Sequence, residues 1–281
     1  MVRNMSDSRQ GYDERVSSGR AVPQVAGGDL DNDPSMMVQE QISRIRFLAE
    51  TVGLANKSIL DLGCGTGFNY TYVKNKLGSG KVLGVDISEA SVAYARRENP
   101  TGSFMQGDVC SENLDCGTES WDTVLCCEVI EHVNRPERLL ETIHRHLRTT
   151  GVAFISTPNR PVFSLDVEPS PVNHTHLKEY NLQEFRTMLE RRFSNVKIWG
   201  QRFVDHRLFR MQQDIVARNI KDYRFLGEWY WTDPIRLAWK TMRLEPVHRW
   251  LGGGQRYCHE DFSFVTPVSD DSIWLCAFVT K

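Results

Sequence analysis

Asp61-Leu62-Gly63-Cys64-Gly65-Thr66-Gly67 decides how the chain reads. Ser58–Leu62 has the pattern of a buried strand, and Phe68–Leu77 that of a helix. Between them lie three glycines, one at every second position. Glycine lets the backbone turn sharply and approach a ligand closely. The spacing is G-x-G-x-G, not the G-x-G-x-x-G of the nicotinamide-dinucleotide fingerprint. Asp61 adds a second discriminator. Its carboxylate would repel a pyrophosphate and attract a ligand that carries an ammonium and a sulfonium.

Outward from this turn the chain alternates. Lys81–Asp86 reads as a strand. Ser88 caps a helix running to about Arg97, and Ser103–Gln106 is a short strand. Trp121–Cys127 is an apolar strand. Asn134, with Glu137 three residues on, has the form of a capping box. Leu139, Leu140, Ile143 and Leu147 give the helix that follows one apolar face. Val152–Ser156 is a further strand, Leu182–Leu189 a helix, Asn195–Trp199 a strand and Ser272–Val279 the last strand. Upstream, Asp33-Pro34 starts a helix, with Asp33 as cap and Pro34 in its first turn. Met37, Ile42, Ile45, Leu48 and Val52 follow at near-helical spacing, and Gly53 closes it. Strands alternating with helices predict an α/β, Rossmann-like, mostly parallel sheet with helices on both faces. Ligands bind such sheets at the carboxyl ends of the strands, near the switch point.

The domain reading follows the same pattern. Residues 1–33, rich in Ser, Gly, Asp and Arg, read as a flexible arm. Residues 34–204 form the core, and 269–281 supply its final strand. Residues 205–268 lie between the last two predicted strands and exceed an ordinary connection. They hold Trp229, Tyr230, Trp231, Trp239, Trp250 and Tyr257. From Arg202 to Arg256 the chain has 11 Lys/Arg against 6 Asp/Glu. This helical, Trp-rich insert reads as a substrate cap, since aromatics that pack on the sheet edge also roof a cleft.

Composition excludes several classes. The 281 residues are 40% hydrophobic and 25% charged, ordinary for a soluble globular protein. No apolar run is long enough to span a membrane, and no apolar leader follows the start. Seven cysteines lack metal-type or disulfide-type spacing. With no export signal, they predict reduced thiols and a cytoplasmic protein. A net charge of −2 gives no whole-protein attraction to nucleic acid. The expected partner is a small-molecule acceptor, with a homo-oligomer left open.

Two more acids suit an adenosine. Asp86 ends the second strand, where it can accept from both ribose hydroxyls. Asp108 follows the third, where it can accept from an adenine amino group while the Val109 amide donates to the ring. A lone Asp at a strand end is usually a turn residue. Three at the ends of successive strands point to one ligand, S-adenosylmethionine. Asp61–Gly67, Asp86, Asp108 and the run Cys127–His132 together resemble the class I methyltransferases over about residues 55–200. The resemblance implies a seven-stranded sheet with its last strand antiparallel. It also implies S-adenosylmethionine contacts at Asp61, Gly63, Gly65, Asp86, Ile87, Asp108, Val109 and Cys127.

The acceptor is the harder question. Methyl transfer from a sulfonium is an in-line displacement from an activated donor, so alignment and water exclusion matter most. A hydroxyl acceptor also needs a base or a metal ion. Glu128, Glu131 and His132 follow the fourth strand. Ser156–Asn159 follows the fifth, and His174 and His176 come next. E-x-x-E-H, then S-T-P-N, then a later His is similar to the ubiquinone-biosynthesis O-methyltransferases. It is similar also to the small-RNA terminal ribose 2′-O-methyltransferases, whose two Glu and two His hold a divalent ion. That likeness implies Glu128, Glu131, His132 and His176 as ligands of Mg²⁺ or another divalent metal. The same residues allow His132 or His176 as a metal-free catalytic base. The expected activity is O-methylation of a natural product or sugar-like acceptor. N- or C-methylation without metal, a nicotinamide-dependent oxidoreductase and a non-catalytic S-adenosylmethionine-binding protein are the alternatives. His144 and His146 read as surface residues, and Cys126 and Cys127 as strand packing.

Overall fold

The computed structural model describes residues 30–33, 35–117, 120–167, 173, 175–226 and 256–281, without the side chains of 32 and 222–226. Trp229, Tyr230, Trp231, Trp239, Trp250, His174 and nearly all of the expected arm lie outside the described residues.

Helix α1 (Met36–Val52) leads into β1 (Ile59–Leu62), α2 (Phe68–Asn75), β2 (Val82–Asp86), α3 (Glu89–Glu98), β3 (Ser103–Gln106) and β4 (Trp121–Cys127). After a short 3-10 turn at Ile130–His132 come α4 (Pro136–His146), β5 (Leu147–Pro158), α5 (Arg160–Phe163), α6 (Leu182–Glu190), β6 (Asn195–Phe203) and α7 (His206–Leu226). The described chain closes with β7 (Phe262–Val265) and β8 (Trp274–Thr280). The strands lie in the order β3-β2-β1-β4-β5-β8-β6-β7. Strands β1 to β5 pair in parallel, and β8 inserts antiparallel between β5 and β6.

The sheet has eight strands among the described residues, not seven. The extra one, β7, falls inside the stretch read as insert and pairs antiparallel with β6 at the sheet's edge. Its four residues are too short for a clear alternating pattern, so the sequence hid it. Three local expectations also change. Ser35, not Asp33, caps α1 by accepting from the Val38 amide, while Asp33 accepts from the Ser35 amide. Arg135 occupies the cap of α4 without a side-chain bond, so Asn134 and Glu137 form no capping box. Pro136 opens that helix with no amide to satisfy. Finally, β5 runs from Leu147 to Pro158, well beyond the five residues expected.

Alternation along the strands separates two cores. Ile59, Leu125 and Phe154 face Ile42, Ile45, Phe68 and Val92 from α1 to α3. Leu60, Val124 and Ile155 face Leu139, Ile143, Phe185 and Leu189 from α4 and α6. A third cluster joins Val162, Phe203, Leu208, Phe262, Ile273 and Trp274 beside α7. His146 packs against this framework rather than at the surface. It is 7% exposed, with Nε2 3.3 Å from the Leu114 carbonyl. No helix among the described residues is long and apolar enough to cross a membrane.

Candidate active site

The carboxyl ends of β1, β2 and β4 meet at the switch point where the sheet order reverses. Asp61 is 1% exposed there. Its Oδ1 accepts from Asn69 Nδ2 at 3.2 Å, while Oδ2 is buried without a partner. Burial pushes its carboxyl up to about 7, and Asp86 adds to the rise against the Asn69 bond. Gly63 has φ 77°, and a Cβ there would lie 2.3 Å from Val129 Cγ2. Only glycine therefore lets the turn close against the segment after β4. Gly65 donates its amide to Asp86 Oδ2 at 2.8 Å, and Ser88 donates to Asp86 Oδ1 at 2.9 Å. Asp86 thus braces the turn as well as ending β2, with Ile87 next along the chain. Asp108 accepts from the Cys110 amide and lies 3.7 Å from Arg135, beside the buried Val109. Burial pushes the Cys127 thiol up to about 12, which leaves it protonated at the end of β4.

Consecutive residues of β5 point to opposite faces, and this sorts the acids after β4. Ser156 Oγ donates to Glu128 Oε1 at 2.7 Å, on the face where Arg44 Nη1 stands 3.6 Å from the same oxygen. Thr157 Oγ1 donates to Glu131 Oε2 at 3.1 Å, on the other face. Glu128 also holds φ 56°, a left-handed conformation uncommon for a residue with a Cβ. The structure therefore does not gather all four expected ligands. Glu131, His132 and His176 come together, each offering a ligand atom within 4.8 Å of the others, and Glu128 stands apart.

Glu131 is fully buried, and its Oε1 has no hydrogen-bond partner, with His132 Nε2 3.9 Å away. Burial first, then the charge of Glu128, holds its carboxyl well above the ordinary range. His132 Nδ1 lies 3.0 Å from the Thr175 carbonyl, which can only accept, so that nitrogen carries the proton. Burial of most of the ring, then the neighbouring His176, holds its pKa below the ordinary imidazole value. His132 is therefore neutral at pH 7, with a free lone pair on Nε2. The His132 and His176 rings meet edge to face at 4.8 Å. Their two loops are joined through backbone. The Glu131 carbonyl accepts from the amides of Leu177, at 2.8 Å, and Lys178, at 3.2 Å.

The family described as a methyltransferase domain matches residues 59–151, from β1 into β5. This stretch is a methyltransferase domain. A probable S-adenosylmethionine-dependent methyltransferase of Mycolicibacterium smegmatis is 32% identical over 136 residues, 48% of this chain and 51% of its own. A ubiquinone biosynthesis O-methyltransferase of Pseudomonas paraeruginosa is 32% identical over 120 residues, 42% of this chain and 51% of its own. The chain spans about half the length of these curated relatives. A solved structure from Thermotoga maritima, titled a SAM-dependent methyltransferase and possible histamine N-methyltransferase, overlays with a TM-score of 0.58. It is 15% identical and covers 99% of this chain and 100% of its own. That likeness concerns the fold alone. The matched stretch belongs to the methyltransferase-domain family, and the sheet has the fold of the solved structure titled a SAM-dependent methyltransferase.

Several polar residues around the methyltransferase domain escaped the sequence reading. Arg44 on α1 is 1% exposed. Besides Glu128 it meets Glu40 Oε1 at 3.3 Å and Gln201 Oε1 at 3.1 Å, and its guanidinium lies 5.3 Å from the Trp274 ring centre. Two charges four apart on a helix usually mark a solvated face. Here β6 and β8 cover that face, which the local pattern does not report. Glu179 sits three residues after His176, a spacing that was visible but unread. Its Oε1 is 2.7 Å from His176 Nδ1, and its Oε2 accepts from Ser164 Oγ at 2.6 Å.

Proposed function

We propose that the chain transfers the methyl group of S-adenosylmethionine to a hydroxyl of a small acceptor held beside Glu131, His132 and His176. The donor end of this reading rests on Asp61. A buried carboxylate with one unpartnered oxygen beside a glycine turn suits a ligand that brings positive charge. Asp61, Gly63, Gly65, Asp86, Ile87, Asp108, Val109 and Cys127 would hold the donor, whose positively charged sulfur supplies the activated methyl group.

One observation carries the acceptor end: the unpartnered, buried Oε1 of Glu131 facing the bare Nε2 of His132, with His176 beside them. One carboxylate and two imidazoles suit a divalent ion such as Mg²⁺, Mn²⁺ or Fe²⁺. The donor set fits it, because a cation there would partner the buried Glu131 Oε1 and favour the carboxylate over its protonated form. Such an ion would lower the pKa of a bound hydroxyl. Glu128 would orient the acceptor from the opposite face, with its carboxylate steadied by Ser156 and Arg44. Residues 205–268 would cap the acceptor, with α7 forming one wall through Leu208 in the third apolar cluster.

The test is incubation with S-adenosylmethionine and a panel of hydroxyl and amine acceptors, with Mg²⁺ or with a chelator, read by mass spectrometry. Methylated hydroxyl products that need the metal are expected. His132→Ala and His176→Ala should each cut turnover about 100-fold or more, with S-adenosylhomocysteine affinity within about threefold of the parent. Products on amines alone would overturn the hydroxyl assignment. Activity that survives the chelator would remove the ion and leave His132 or His176 as base. Tight cofactor binding with no product from any acceptor would favour a binding protein.

A further inference from the structure

Glu179 is buried, 2% exposed, and both its carboxylate oxygens are engaged. Asn173 defines the proton on the partner imidazole. Its Oδ1 accepts from the Thr175 amide at 3.0 Å and the Thr175 hydroxyl at 2.8 Å. The amide group is thereby oriented, and its Nδ2 points at His176 Nε2 from 2.9 Å. An NH₂ group can only donate, so Nε2 accepts and the His176 proton sits on Nδ1. That proton is donated to Glu179 Oε1. The ring is also held in place by Phe163, stacked at 5.6 Å, and by the edge contact with His132. Arg160 Nη1, 3.4 Å from the Glu179 carbonyl, ties this segment back to α5.

We propose that Glu179 is the positioning residue of the acceptor site: it holds the His176 proton on Nδ1, so that Nε2 presents a lone pair beside Glu131 and His132. The proposal rests on the reading of His176 as a ligand or base. A carboxylate behind the far nitrogen of an imidazole fixes its tautomer and raises its basicity as a donor. The two histidines are then matched. Thr175 serves both, since its amide orients Asn173 for His176 and its carbonyl takes the Nδ1 proton of His132. Each ring then carries its lone pair on Nε2. In this arrangement the Asn173 amide occupies the lone pair of His176, and a metal ion or an acceptor proton would take its place.

Two measurements on the full chain test the role. The first is long-range ¹H–¹⁵N NMR of the wild-type protein with S-adenosylhomocysteine bound, assigned against His176→Ala. A His176 proton on Nδ1 is expected. A proton on Nε2 would overturn the proposal whether or not any variant folds. The second is Mn²⁺ affinity by electron paramagnetic resonance for wild type, Glu179→Gln and His176→Ala. Glu179→Gln should weaken Mn²⁺ binding about 10–100-fold while leaving S-adenosylhomocysteine affinity within about twofold. If His176→Ala loses Mn²⁺ and Glu179→Gln keeps both Mn²⁺ and the tautomer, the positioning role falls and the ligand reading stands. If His176→Ala binds Mn²⁺ as the wild type does, His176 as a ligand falls, and a Glu179→Gln spectrum with the tautomer unchanged would then overturn the positioning role as well.

Discussion

The two ends of the proposed site are built on different plans. At the donor end, each polar group sits within a few residues of a strand terminus, and neighbouring turns brace one another, as Gly65 and Asp86 do. At the acceptor end, most key side chains depend on a segment distant in sequence. Ser156 and Thr157 hold Glu128 and Glu131, Thr175 and Glu179 hold the histidines, and α1 sends in Arg44. The matched family covers residues 59–151 and so reaches the first plan but stops short of most of the second. A site made of local turns is carried by a motif; one assembled from distant loops is free to change its acceptor while the donor end stays the same.

The hardest blow to that contrast comes from Arg44. Arg44→Met leaves Glu40 and Glu128 buried or half-buried with no cation between them, and should cost about 3–5 kcal/mol in urea unfolding. In a folded fraction it should impair turnover much more than S-adenosylhomocysteine affinity. Equal loss of both would mean that the two ends are not separable. Gly63→Ala tests the contact where they touch. The methyl group would meet Val129 in a left-handed backbone, a combined cost of about 2–4 kcal/mol. Calorimetry should show cofactor affinity falling at least about tenfold with this change.

Asp61→Asn sharpens the donor end by its pH dependence. The folded pKa of about 7 lies above the ordinary 3.8, so the folded chain binds the proton more tightly than the unfolded one. Stability from this group is greatest at low pH and is lost as pH rises through about 7. Affinity for a cationic ligand runs the other way and strengthens over the same range. Asp61→Asn should flatten that binding profile. Without ligand it should also raise stability at pH 8 by about 1–3 kcal/mol, since the amide removes a buried charge but still leaves a polar group unpaired. A binding profile that keeps its slope in the variant would assign the titration to another group.

Much of the donor end was legible in the sequence. The strands Ser103–Gln106 and Trp121–Cys127 have the expected bounds, the first because Gly102 and Gly107 flank it and the second because it is a buried, mostly apolar run. Asp61, Gly63 and Asp86 were legible for the same reason, since each sits where a strand stops. The acceptor end was only half legible. Glu131, His132 and His176 stood out by residue type, and they do meet. Glu128 looked equivalent to Glu131 until the alternation of β5 sent the two to opposite faces. Arg44 and Glu179 draw their roles from packing partners over a hundred residues away or across a turn, and no local pattern carries that information. The capping box expected at Asn134 failed because the helix starts one residue later, with Arg135 at its cap and Pro136 as its first residue.

Strand β8 has a consequence for the order in which this molecule comes into being. It lies between β5 and β6, and it is made after both. Until Trp274–Thr280 leave the ribosome, β5 has a bare edge and β6 with β7 has nothing to hold. The donor half can settle on its own strands while synthesis continues. The wall that carries Gln201 and Trp274, and through them Arg44, is complete only once β8 has been made. On the proposed reading, the donor half of a newborn chain would take shape before the acceptor half is walled in.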